Sequence, residues 1–174
     1  MKALSSEAIR ELGSDIELEL GRLAHLQQTI QAAQEEVQRD PLHAELFYES
    51  LALKLHNFYT GCERIFRLIA MEMNGGLPAG ADWHKRLLDR MSDERQGRPA
   101  VLSASTASAL QEFLGFRHVV RSVYGYELDP ERIAQLLSRY PDVWRALEQD
   151  LRQFGVWLRA FADQLETVPD WDPP

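Results

Sequence analysis

The segment Arg117-His118-Val119-Val120-Arg121-Ser122-Val123-Tyr124 sets two guanidinium groups, an imidazole, a hydroxyl and a phenol in consecutive turns. At about 100° per residue, Arg117, Arg121 and Tyr124 fall within about 60° of arc, on the line that Leu110 and Phe113 begin. Charge has entered an apolar stripe. Burying a guanidinium costs several kcal/mol unless carboxylates, phosphates or carbonyls satisfy it. Two readings follow. In one, Arg117 and Arg121 clamp a phosphodiester and Tyr124 bonds to it or stacks beside it. In the other, Glu49, Glu63 or Glu112 pairs with these arginines inside the protein, and Tyr124 is a core aromatic. His118 lies about 100° around the helix from Arg117 and shares a turn with Ser122; it is either an acid-base group or a structural or solvent-facing imidazole.

Trp83-His84-Lys85-Arg86 is the second constellation, joining an aromatic ring, a titratable imidazole and two cations just after a glycine-rich turn. Trp83 and His84 could contact a bound nucleic acid, or Trp83 could close the end of a helical core. Lys85, Arg86 and Arg90 share the region with Asp82, Asp89, Asp93 and Glu94, which are expected to neutralise much of their field. His25, His43 and His56 lie on separate turns or helices without paired metal-ligand spacing, so neither a metal nor a cofactor is expected. A glycine-rich phosphate loop and a nucleophile elbow are both absent from the sequence.

These groups must be held by helices. From Ile9, apolar or small residues at Leu12, Ile16, Leu20, Leu23, Leu26, Ile30, Ala33 and Val37 recur at intervals of three and four. Gly13 and Gly21 could bend this first helix or admit close packing. Asp40-Pro41 reads as a cap followed by proline at the first helical position, opening a second helix over 41–73 with Leu51, Leu55, Phe58, Cys62, Ile65 and Ile69 on its stripe. Asn74-Gly75-Gly76, Pro78 and Gly80 stop it. A short helix over 82–91 and a polar loop over 92–99 precede the arginine helix, which the Ser/Thr-rich stretch 103–108 can cap. Asp129-Pro130-Glu131 starts the next element, Pro141 is expected to divide it, and Trp144 to Leu165 repeat at three and four before Pro169.

The pattern predicts an all-α antiparallel bundle of four principal helices with additional short ones, in a single domain over 1–168 with a frayed tail at 169–174. The first or last helix could serve a dimer interface. The 174 residues, 45% of them hydrophobic, suffice for one sizeable core, and no apolar run approaches the roughly 18 residues of a membrane span. Cys62 is the sole cysteine, which excludes an internal disulfide framework. Lys2 has no apolar signal core behind it, and the expected location is cytoplasmic. The 19 basic residues against 27 acidic ones give a formal charge of -8, which disfavours a broad non-specific nucleic-acid surface but not a local basic site.

Phe116-Arg117-His118-Val119-Val120-Arg121-Ser122-Val123-Tyr124, with Tyr59-Thr60-Gly61-Cys62-Glu63-Arg64-Ile65-Phe66 and Trp83-His84-Lys85-Arg86-Leu87-Leu88, resembles the HepT-like branch of the HEPN superfamily over about residues 8–165. The resemblance implies a helical bundle and a homodimeric, metal-independent ribonuclease toxin neutralised by a minimal nucleotidyltransferase antitoxin. In the family an arginine is followed four to six residues later by histidine and then by tyrosine, which the antitoxin can modify with adenylate. Arg117 and Tyr124 match the arginine and tyrosine, while Ser122 stands at the histidine position. An unactivated hydroxyl cannot replace an imidazole as general acid or base. The resemblance therefore assigns phosphate binding and transition-state charge to Arg117 and Arg121, with His118 or His84 as the replacement proton carrier. The alternative it leaves is an inactive dimer that binds nucleotide, RNA or protein with the same arginines.

Overall fold

A computed structural model describes residues 4–95, 97–122 and 128–167. Tyr124 and the 169–174 tail lie outside the described residues. Among the described residues five helices run in order: α1 (Ser6–Arg39), α2 (Ala44–Met73), α3 (Trp83–Ser92), α4 (Ala104–Ser122) and α5 (Pro130–Thr167). Four are long and α3 is short, as the periodicity predicts. No described helix is long and apolar enough to cross a membrane.

The ends follow the capping chemistry closely in most places. Ser5 Oγ accepts from Ala8 N–H at 3.2 Å, Ser103 Oγ from Thr106 N–H at 3.2 Å and Asp129 Oδ1 from Glu131 N–H at 2.9 Å. Asp40 departs from expectation. Its carboxylate takes His43 Nδ1 at 2.7 Å rather than capping the backbone, and Pro41–His43 forms a 3-10 turn before α2 begins at Ala44. That turn reverses the chain, so α1 and α2 run antiparallel, with Glu19 opposite Arg64 and Thr29 opposite Lys54.

Glycine acts elsewhere than expected. A Cβ placed on Gly13 or Gly21 would meet nothing within 4 Å, whereas one on Gly61 would sit 2.6 Å from Leu23 Cδ2. Gly61 is the residue that lets α1 and α2 approach. The helix α5 lies antiparallel to α1, tied by Arg10 to Asp163 at 2.8 Å and by Arg159 to Glu17 at 3.1 Å.

Pro141 does not divide the last element, since α5 continues through it. The proline removes the N–H that would bond the Leu137 carbonyl. Buried Leu137, Tyr140, Val143 and Trp144 flank the site, and their packing carries the helix across the missing bond. One core runs through all five helices, and Phe58 and Tyr140 meet edge to face inside it at 4.9 Å between ring centroids.

Candidate functional site

The buried stripe of α2 contains Tyr59, Cys62 and Phe66, and one carboxylate among them, Glu63, at 5% exposure. A carboxylate there must find cations or donors. Its Oε2 lies 2.5 Å from His84 Nδ1 on α3, and its Oε1 accepts from Arg117 Nη2 on α4 at 3.2 Å. Three helices are thus joined through one acid. Of the three carboxylates the sequence offers to Arg117, Glu63 is the partner; Glu112 pairs instead with Arg139 on α5, and Glu49 is exposed.

The same geometry assigns a tautomer. A carboxylate only accepts, so Nδ1 of His84 carries the proton and Nε2 is the nitrogen that can exchange one. Arg117 Nη1 approaches Nδ1 to 3.4 Å, but a protonated Nδ1 has no lone pair to offer it. The Trp83 ring packs on the His84 ring at 3.6 Å between centroids and 30° of tilt, and the Arg67 guanidinium lies 5.9 Å from the Trp83 ring. Trp83 thereby walls one side of His84 while remaining half-buried itself.

His118 projects from α4 beside this cluster, exposed, with its ring 5.7 Å from that of His84 in an edge-to-face arrangement. Its pKa is lowered, first by partial desolvation, then by His84, Arg117 and Arg121, against a smaller raising effect from Glu63. His56 on α2 has its pKa lowered in the same way, by burial and then by Arg117 and Arg121, opposed by a hydrogen bond with the Arg117 backbone. Among the described residues its Nδ1 is buried without a partner, as are Arg117 Nε and the Tyr59 hydroxyl.

The two arginines of the α4 segment therefore part ways. Arg117 is buried and paired, whereas Arg121 is exposed and forms no ion pair among the described residues. Ser122 is exposed, its hydroxyl donating to the His118 carbonyl at 2.7 Å. Arg117, His84, Trp83 and His118 are brought together from α3 and α4; Arg121 is near enough to disfavour charge on His118; Tyr124 lies outside the described residues.

Sequence reasoning passes over one member of this cluster and leaves another undecided. His56 looks like one of several scattered histidines, and Glu63 like one of three interchangeable partners. The available signal for Glu63 is its place beside Tyr59, Cys62 and Phe66 on the face that α2 buries. Arg86 and Arg90 donate to the Ala79 and Gly76 carbonyls at 2.9 and 3.2 Å. No group of three or more potential metal ligands occurs among the described residues.

Residues 50–158 match a family model described as HepT-like protein. Neither a curated protein nor a solved structure matches the chain. The matched stretch contains Glu63, His84 and Arg117 and extends over well more than half of the sequence, and the chain belongs to the HepT-like family of the HEPN superfamily.

Proposed function

We propose that this HepT-like protein is a metal-independent endoribonuclease acting as a homodimeric toxin with a minimal nucleotidyltransferase antitoxin, and that its proton carrier is His84 or His118, since Ser122 stands where the family has histidine. The observation that carries this reading is the convergence of His84 and His118 beside Arg117. Intramolecular RNA cleavage needs a base for the 2'-hydroxyl and cationic stabilisation of the phosphate, with no covalent protein intermediate. His84 and His118 supply the imidazoles, and the exposed Arg121 supplies a guanidinium for phosphate.

Purified protein incubated with mixed RNA and a chelator is expected to cleave, with His84→Ala lowering the rate about 100-fold to 10,000-fold, the range for loss of a general acid or base. Arg121→Ala is expected to weaken substrate binding more than turnover. Cleavage unchanged in both His84→Ala and His118→Ala sinks the site assignment.

A second reading is favoured by one specific fact, the neutralisation of Arg117 by a buried carboxylate within the fold. In that reading the protein is a non-cleaving dimer that binds RNA, nucleotide or an acidic partner through Arg121 and its neighbours. Failure of the folded dimer to cut any RNA, together with retained RNA binding that Arg121→Ala abolishes, selects it.

A further inference from the structure

We propose that Glu63 is a positioning residue that holds His84 in the Nδ1–H tautomer and presents its Nε2 as the base toward RNA. This rests on the ribonuclease reading above and assigns within it which imidazole takes the proton.

Packing alone does not account for Glu63. Its neighbours on the buried stripe are Tyr59, Cys62 and Phe66, and an apolar side chain of similar volume would fill the position without the cost of desolvating a charge. An ion pair with Arg117 accounts for only one of its oxygens. The other oxygen faces His84 Nδ1. The His84 side chain is 15% exposed, so the ring is anchored in the interior at Nδ1 while part of it reaches solvent. Trp83 against its face and His118 at 5.7 Å restrict how the ring can turn.

Charge placement separates the two imidazoles. The Glu63 carboxylate faces His84 at Nδ1. His118 has no carboxylate partner among the described residues, and the groups around it disfavour its charged form. The charged or titratable groups facing His84 are Glu63 from α2 and Arg117 and His118 from α4, with Arg67 of α2 across Trp83.

The step balances as follows. Nε2 removes the 2'-hydroxyl proton, the 2'-oxygen bonds to phosphorus, and the bond from phosphorus to the 5'-oxygen breaks. A water molecule protonates the departing 5'-oxygen, and the hydroxide so formed takes the proton back from His84. The products are a 2',3'-cyclic phosphate and a 5'-hydroxyl end. Arg117, held through the other oxygen of Glu63, keeps a fixed cation beside the base.

The test uses the full chain with Glu63→Gln. Nitrogen-15 spectra of the imidazoles above pH 8, with the His84 signals assigned by their loss in His84→Ala, are expected to show Nδ1–H on His84 in the wild type. In Glu63→Gln the Nε2–H form is expected to appear, because the amide can donate to Nδ1. Turnover should fall by about 100-fold to 10,000-fold with KM little changed, as for removal of an acid that orients a histidine base. An Nε2–H tautomer in the wild type overturns the proposal, even where Glu63→Gln fails to fold. So does a folded Glu63→Gln protein with wild-type turnover and the wild-type His84 tautomer. Absence of cleavage by the wild type removes the ribonuclease reading and with it the base role, while the tautomer measurement still decides whether Glu63 orients His84.

Discussion

His56 is the residue at which the site and the stability of the fold meet. It lies on α2 against the Arg117 backbone, with burial first and then both arginines of the α4 segment disfavouring its charged form. A histidine whose pKa is lowered by folding binds its proton more readily in the unfolded chain, so stability is present above the unfolded pKa of about 6.5 and is lost as pH falls below it. His118 acts in the same direction. The melting temperature is therefore expected to drop between pH 7 and pH 5, and His56→Gln should flatten that drop. A slope equal to the wild type's would remove His56 from the account. The sequence places His56 four and seven residues before Thr60 and Glu63, but nothing local announces that α4 will set guanidinium groups over it. By contrast, the intrusion of Arg117 into an apolar stripe is visible in the sequence because helical phase alone reveals it, whereas the identity of its partner depends on which helices cross.

At the scale of the element, Arg98 does what a polar loop is not expected to do. It is 4% exposed, and its guanidinium donates to Asn74 Oδ1 and to the carbonyls of Arg90, Asp93 and Pro99. One side chain thereby ties the end of α2 to the end of α3, and so fixes the base from which α3 delivers Trp83 and His84. Removing it as Arg98→Ala orphans several carbonyls and leaves a void, which should cost about 3 kcal/mol in urea unfolding. Arg98→Lys should recover little, because three donors on one nitrogen cannot span the same acceptors. Periodicity cannot find such a residue, since its acceptors are mostly backbone carbonyls that any sequence supplies. Pro141 is the opposite case, a break read from local chemistry that tertiary packing overrides. Pro141→Ala restores a helix N–H and relieves the ring's clash while adding some freedom to the unfolded chain, and a net gain of about 1 kcal/mol or more is expected. A loss of stability would show that the proline's own contacts matter more than the missing bond.

For the molecule as a whole, the formal charge of -8 and the exposed cations near the site make a joint prediction about RNA. Long-range repulsion opposes the polyanion, and Arg117 spends its charge on Glu63, so attraction must come from the few exposed cations around His118, with Arg121 foremost. Arg67, itself exposed, lies 5.9 Å from the Trp83 ring. Binding to single-stranded RNA through two or three phosphates should show a shallow salt dependence, with log K falling by about 1.4 to 2.1 for each decade of salt at roughly 0.7 per phosphate. Arg121→Ala should reduce that slope by about 0.7 and leave the His84 tautomer unchanged. A protein that binds RNA through a broad basic face would give a much steeper line, and so would a dimer that joined many arginines across its interface. Titrations of a short RNA between 50 and 300 mM salt separate these cases: a slope steeper than about 4 would mean that the contact surface extends well beyond the residues gathered around Glu63.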